Sequence, residues 1–130
     1  MEITDSLRIG HPEIDALHER LAELAGRCGE FIRVGDKTSC AATIRELRRV
    51  MLEHFDVEIR VMKELGYLQI EDHQGSHGNA GARFRKIMNC CTAEDCPGDE
   101  CLAEINSLLF DDLLKSDMNF KSYLQQINYR

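Results

Sequence analysis

Three of the five histidines in this chain fall in one short stretch, HFDVEIRVMKELGYLQIEDHQGSH, residues 54–77. Within it, His54 pairs with Glu58, and His73 pairs with His77, at a spacing of four residues that places each pair on one helix face. All four occupy positions of apolar helical stripes, where burying an unsatisfied polar group is costly. A hydrogen-bonded core histidine would explain any one of them. Two such pairs facing each other favour a metal site.

Two further polar residues lie on the apolar stripes of other segments. His18 adjoins Leu21 near the start of the chain, and Asp117 precedes Phe120 near its end. With the two pairs, they provide four imidazoles and at least two carboxylates, which is too many ligands for one zinc ion. The mixture of nitrogen and oxygen ligands suits iron or manganese. Because carboxylates can bridge metals, we expect two metal ions.

The elements that must position these residues are predicted from the spacing of apolar residues. Such residues recur at intervals of three and four in four segments, which is the period of amphipathic helices. Four such helices joined by short connections predict an all-α protein, an up-down-up-down antiparallel four-helix bundle. We expect residues 1–130 to form a single domain. The expected boundary residues are Pro12 and Gly35 for the first helix, Thr38 or Ser39 and Gly66 for the second, Ile70 for the start of the third, and about Leu102 for the start of the fourth.

The composition argues against several function classes. A formal net charge of −7 argues against binding to nucleic acid or to anionic membranes, because both need clustered Lys and Arg. The N-terminal MEITDSLRIG lacks the basic and apolar regions of a signal peptide, and no apolar run is long enough to span a bilayer. We therefore expect a cytoplasmic protein whose six cysteines are reduced thiols.

Four motifs carry the polar residues of the apolar stripes: IGHPEIDALHERL (9–21), HFDVE (54–58), HQGSH (73–77) and LLFDDLLKSDMNF (108–120). Together they resemble the hemerythrin family, and in particular the bacterial hemerythrin-like domains (bacteriohemerythrins). The resemblance covers nearly the whole chain, with the motifs in the order and spacing of the family. It implies a helix bundle around a non-haem di-iron centre.

The resemblance also implies a role for each ligand. In the hemerythrin family, histidines hold two irons, which are bridged by two carboxylates and an oxo or hydroxo group. The iron held by only two histidines keeps an open position for dioxygen. Carried over position by position, the implied ligands are His18 and His54 for one iron, His73 and His77 for the other, and Glu58 and Asp117 as bridges.

The fourth motif departs from the family pattern at two positions. The family usually has Trp-Leu-x-x-His, followed five residues later by the bridging aspartate. In this chain, Leu108 occupies the position of the family's tryptophan, and Asp112 occupies the position of its histidine. Asp112 could ligate the iron directly, which would favour the ferric state and lower the reduction potential. Alternatively, a water fills the gap and Asp112 accepts its hydrogen bond, or the site has lost its metal. We expect direct ligation, because an unpaired buried carboxylate is costly.

A second group of metal-ligand residue types lies in CCTAEDCPGDEC, which joins the third and fourth helices. The spacing is not C-x-x-C, so it favours a zinc site only weakly, and a reversible disulfide among Cys90, Cys91, Cys96 and Cys101 is another alternative. Exposed thiols without a function are the expected outcome. Cys28 lies on an apolar stripe and is expected to act as a small hydrophobic residue.

These expectations describe a di-iron protein that binds dioxygen or senses oxygen or redox state, alone or as the input domain of a larger signalling protein. The resemblance favours a binding or sensory domain over an enzyme. One alternative is a di-iron oxidase or peroxidase, for which a third carboxylate at Asp112 argues. Another is a protein that scavenges iron or nitric oxide. Turnover of a reductant or of peroxide would identify the first alternative, and metal uptake with nitrosyl spectra the second.

Overall fold

The computed structural model describes residues 7–93, 98–110 and 116–129 of the chain. Within these ranges, α1 and α3 each pack against both α2 and α4. This closed arrangement of antiparallel helices confirms the predicted all-α fold. The fourth predicted helix corresponds to two described segments and begins at Gly98, before the expected Leu102. The helices are α1 (Pro12–Val34), α2 (Lys37–Glu64), α3 (Ile70–Thr92), α4 (Gly98–Phe110) and α5 (Asp117–Gln126).

The boundaries of α1 are set by proline, glycine and a buried carboxylate. Pro12 is its first residue, as predicted, and the His11 side chain caps the N-terminus by accepting a backbone N–H. Asp15 lies buried in the first turn and accepts the amide of Ile9 at 2.8 Å, which fixes the segment that precedes the helix. The helix ends at Gly35, whose φ of 74° is a left-handed conformation that glycine adopts without strain.

The start of α2 differs from the prediction by two to three residues. Asp36 caps this helix, because its carboxylate accepts the Ser39 amide at 3.0 Å. Thr38 and Ser39, the expected caps, lie inside the first turn. The predicted end is confirmed, since Gly66 follows the last residues of α2 with a φ of 71°.

The core consists of two apolar clusters, with polar side chains between them. Each fully buried aliphatic or aromatic side chain contributes about 1.5–3 kcal/mol to stability. The large apolar cluster includes Leu21, Leu24, Ile44, Leu47, Met51, Phe84, Ile87, Ile105 and Leu109, and the small apolar cluster includes Ile9, Ile14, Val61, Met62, Tyr67, Phe120 and Leu124.

No helix in the described ranges is both long and apolar enough to cross a membrane.

Candidate metal centre

Between the two apolar clusters lie six polar side chains, which we call the polar layer. It consists of His18 on α1, His54 and Glu58 on α2, His73 and His77 on α3, and Asp117 at the start of α5. All of these except His77 are buried, and four of them are 0% exposed. Because buried apolar residues flank the layer on both sides, its polar groups must satisfy one another or bind a cation.

One group of ligand atoms surrounds the Nε2 atom of His18. This nitrogen lies 2.8 Å from His54 Nε2 and 2.7 Å from Asp117 Oδ2. His54 Nε2 contacts Glu58 Oε1 and lies 3.4 Å from Asp117 Oδ2. Two imidazole nitrogens and two carboxylate oxygens therefore converge, with all four atoms within 4.8 Å of one another.

A second group of ligand atoms lies on the other side of Glu58. Glu58 Oε2 is 2.6 Å from His73 Nε2, and Glu58, His73 and His77 each offer a ligand atom within 4.8 Å of the others. Asp117 Oδ1 is 3.3 Å from His73 Nε2. Glu58 and Asp117 therefore each direct one oxygen towards the first group and the other oxygen towards His73. Two carboxylates that bridge a pair of metal ions need this arrangement.

Aromatic packing holds the His77 imidazole in place. The ring of Phe55 stacks on it with centroids 3.7 Å apart and an interplanar angle of 15°. The His73 ring meets it edge-on, at 4.4 Å. His77 Nε2 is buried and has no hydrogen-bond partner among the residues that the structure describes. A metal bond at this nitrogen would remove the desolvation cost that it otherwise carries.

Burial keeps three imidazoles of the polar layer neutral, those of His54, His73 and His77. Desolvation is the main cause that lowers the pKa of His54 well below its ordinary value and lowers that of His73, although the Asp117 charge opposes it. Desolvation and the neighbouring His73 lower the pKa of His77 to about 4. These histidines therefore present neutral imidazoles, the form that binds metals, at neutral pH.

The carboxyl of Asp117 is held in its ionised form. Burial alone would raise its pKa, but the hydrogen bonds with His18 and Glu58, together with the electrostatic interaction with the His54 imidazole, outweigh burial, so that the pKa lies well below the ordinary value. An ionised carboxylate beside neutral imidazoles is the donor set that a divalent or trivalent cation requires.

The hydrogen bonds available within the polar layer do not satisfy both ring nitrogens of His18. The Nε2 of His18 has at most one proton, yet it lies within hydrogen-bond distance of both His54 Nε2 and Asp117 Oδ2. The other ring nitrogen of His18 is buried without a partner among the described residues. Cations at the centre of these atoms would satisfy the facing lone pairs. The layer is therefore a candidate metal site, with a donor set that fits iron or manganese.

The structure brings together six of the seven predicted site residues, and these six form the polar layer. Asp112, the seventh, lies outside the described residues, and its ligation of a metal stays a prediction. Leu108, at the position where the family usually has tryptophan, is buried in the large apolar cluster.

The expectations for the cysteines were wrong in two respects. Cys91 and Cys101 are not exposed loop thiols but are 6% and 2% exposed, because α3 extends to Thr92 and α4 begins at Gly98, so that both residues are helical and face the core. Cys90 is disulfide-bonded rather than reduced, so that at this residue the structure has the disulfide that the sequence offered as an alternative. Cys96 lies outside the described residues.

A comparison with known proteins supports the resemblance of this chain to the hemerythrin family. The chain is similar to a myohemerythrin from Riftia pachyptila, with 24% identity over 83 residues that span 64% of this chain and 64% of the myohemerythrin. The match thus covers slightly less than two thirds of that relative. No family model and no solved structure matches the chain. The similarity is distant and does not distinguish a bacterial subtype.

Proposed function

We propose that the polar layer binds two iron ions and that this di-iron centre binds dioxygen or senses oxygen or redox state. The observation that carries the proposal is the position of Glu58 and Asp117. Each carboxylate directs one of its oxygens towards His18 and His54 and its other oxygen towards His73. The likeness to a myohemerythrin supports iron as the metal. Manganese, which accepts the same ligands, is the alternative ion.

Two iron ions would supply electrons to dioxygen and a position at which it binds. The residues of the chain provide the surroundings for this chemistry. The neutral imidazoles of His54, His73 and His77 and the ionised Asp117 are already in their ligand forms before a metal arrives, so that little free energy is spent on deprotonation. The two apolar clusters exclude water from both sides of the layer.

The proposal is tested by measuring metal content and the response to dioxygen. We expect the full chain to contain two irons, and its reduced form to change its visible and near-ultraviolet absorption when dioxygen is added. In Glu58→Gln both irons should be lost or strongly depleted, because one bridging oxygen anion is removed from both halves of the layer. Glu53→Gln is the matched control, since Glu53 lies exposed on the same helix, in an ion pair with Arg49.

Two results would contradict the proposal. A single metal ion per chain, with Glu58→Gln retaining it, would mean that the carboxylates do not bridge. A reduced di-iron protein whose spectrum is unchanged by dioxygen would separate the metal site from oxygen binding, and would favour a storage or scavenging role.

A further inference from the structure

Four buried cysteines form a second cluster, away from the polar layer. Along α2, Cys40 precedes His54 by fourteen residues, which corresponds to about 21 Å of helix. Every member is a free thiol at most 6% exposed. We call this group the cysteine cluster, and it consists of Cys28 on α1, Cys40 on α2, Cys91 on α3 and Cys101 on α4.

The sulfur atoms are close enough to share one metal ion. The Sγ atoms of Cys40, Cys91 and Cys101 lie within 4.8 Å of one another, and Cys40 Sγ is 2.8 Å from Cys91 Sγ. The thiol of Cys28 is in hydrogen-bond contact with Cys40, but its sulfur does not lie within 4.8 Å of all three of the others. In a tetrahedral zinc site with Zn–S bonds of about 2.3 Å, the sulfurs are about 3.8 Å apart. The Cys40–Cys91 distance is shorter than that value and the other two distances are no longer than 4.8 Å, so small side-chain movements suffice for these three sulfurs, and Cys28 must move closer to become a fourth ligand.

The thiols need a cation to become thiolates. Cys101 has a raised pKa, first because of its hydrogen bond with Cys40 and then because of burial. Burial likewise raises the pKa of Cys91. Without a cation, Cys91 and Cys101 are therefore neutral thiols. A divalent cation at the centre of the cluster would reverse the balance, because thiolates are the metal-binding form and soft thiolate ligands select zinc and related ions.

Two helix N-termini point their partial positive charge at the cluster. Cys40 is the fourth residue of α2, and Cys101 is the fourth residue of α4. The N-terminal end of a helix stabilises a thiolate. The ammonium of Lys37 also favours the Cys91 thiolate. Acidic residues in the first turn of α4 act in the opposite direction, but they are solvent-exposed, so that their effect is screened.

A path for an ion leads to the sulfurs. A cavity of about 110 Å³ is lined by Cys40, Cys91 and Cys101 and also by Lys37, which is exposed to solvent. The cavity therefore connects the cluster with the surface. A buried cluster of sulfurs without such access could be filled only during folding.

We infer that the cysteine cluster is a second metal site, which binds one zinc(II) ion as thiolates of Cys40, Cys91 and Cys101, with Cys28 as the fourth ligand. Each thiol releases its proton to solvent when the ion binds. This site is separate from the polar layer in both position and ligand chemistry. It does not depend on the function proposed for that layer.

The test is a titration of the full, iron-loaded chain with cobalt(II) under oxygen-free conditions and without added reductant, so that the cluster thiols stay free and the disulfide of Cys90 stays intact. We expect thiolate-to-cobalt charge-transfer absorption that saturates at one equivalent and is abolished by one equivalent of zinc(II). Cys101→Val keeps the site apolar and close to its original volume, and should weaken zinc affinity by at least about 100-fold while the chain stays folded. Glu53→Gln, which alters an exposed carboxylate outside both sites, should leave the charge-transfer absorption unchanged.

Three results would overturn the inference. The first is a folded protein with free cluster thiols but without thiolate-to-cobalt absorption. The second is the retention of that absorption in Cys101→Val, which would place the cobalt elsewhere. The third is rapid formation of a Cys40–Cys91 disulfide under mild oxidation in the presence of saturating zinc, read by mass spectrometry, because bound zinc protects its thiolates. That outcome would make the pair a redox element instead.

Discussion

The polar layer and the cysteine cluster both take side chains from several helices of one bundle, but burial acts on their ligand forms in opposite directions. Burial disfavours charge. A neutral imidazole is ready to bind a metal, whereas a neutral thiol must first lose a proton. The same desolvation that lowers the pKa of His54 raises that of Cys91. Burial thus prepares the histidines of the polar layer for metal, whereas in the cysteine cluster it opposes the thiolates, which helix N-termini and a lysine favour.

Removing the metal ions from the polar layer should have the largest effect. A ligand present at 1,000 times its Kd stabilises the folded state by about 4 kcal/mol. Without metals, six polar groups also face one another in the core. We expect the melting temperature of the metal-free protein to be lower by about 10 °C or more, measured by scanning calorimetry before and after removal of the metals.

The same treatment provides its own control. Adding back iron should restore the melting temperature of the unaltered chain but not that of Glu58→Gln. Equal melting temperatures of the metal-free and metal-loaded forms would mean that the polar layer is stable without cations. Its buried imidazoles would then not be ligands that await a metal, as the comparison with the cysteine cluster assumes.

The stability of the metal-free protein should fall as the pH is lowered below 6.5. The folded pKa values of His54, His73 and His77 lie below the ordinary value of 6.5. Between pH 6.5 and the folded pKa, which is about 4 for His77, the unfolded chain binds more protons than the folded chain. The stabilisation that these histidines provide is therefore fully present above pH 6.5 and is lost on acidification. Each histidine contributes up to about 1.4 kcal/mol per pH unit. Urea unfolding between pH 7.5 and 4.5 measures the slope.

A matched variant assigns this acid-sensitive slope to the polar layer. His77→Leu removes one titrating imidazole and should make the slope shallower. Cys101→Val should leave it unchanged, because thiols do not titrate in that range. A slope that is unaffected by His77→Leu would assign the pH dependence to other groups.

The cysteine cluster should produce the opposite, alkaline dependence. The folded pKa values of Cys40 and Cys101 lie above the ordinary 9.0, so the unfolded chain loses these protons first. Stability is therefore present below pH 9 and is lost as the pH rises above it. For Cys40, the contact with Cys101 acts to lower the pKa, but the contact with Cys28 and burial outweigh it. Cys101→Val should weaken the dependence, and bound zinc should abolish it, in unfolding measured from pH 8 to 9.5.

The range of that measurement avoids a second titrating group. Burial also raises the pKa of Tyr67 above its ordinary 10.0, so this phenol would add its own alkaline dependence at higher pH. An alkaline slope that zinc leaves unchanged would mean that zinc does not bind to the thiols, and would count against the second metal site.

The two sites differ in how far the sequence could predict them. The ligands of the polar layer were visible because histidines and carboxylates interrupt apolar stripes at helical spacing. Cys28 and Cys40 gave no such signal, because a cysteine on an apolar stripe looks like any small hydrophobic residue. The motif around Cys90 pointed to a loop, whereas the cluster is assembled by the ends of four helices. One cysteine near the cluster end of each helical stripe is the signal that could have revealed it.

The helix boundaries show a similar limit. Gly35 and Gly66 marked helix ends correctly, since few other residues adopt their left-handed backbone conformation without strain. The N-cap of α2 was less certain from sequence because Asp36, Thr38 and Ser39 can all cap a helix. Only the contact between the Asp36 carboxylate and the Ser39 amide selects the first.

The smallest predicted effect concerns the ring that packs on His77. Phe55→Leu keeps an apolar side chain and should cost less than about 1.5 kcal/mol in the free energy of unfolding. It removes the stacked surface that orients the imidazole, so metal should dissociate from the polar layer faster, by about 10-fold. Phe84→Leu is the matched control, because Phe84 is a similarly buried ring in the large apolar cluster. Release of iron to an excess of a coloured chelator measures both rates. The two variants should unfold with similar free energies but differ in metal release. Equal rates of iron release would show that the stacking of Phe55 on His77 stabilises the bundle without orienting the imidazole as a ligand. The orientation of the polar-layer side chains would then depend only on their hydrogen bonds and on the metals.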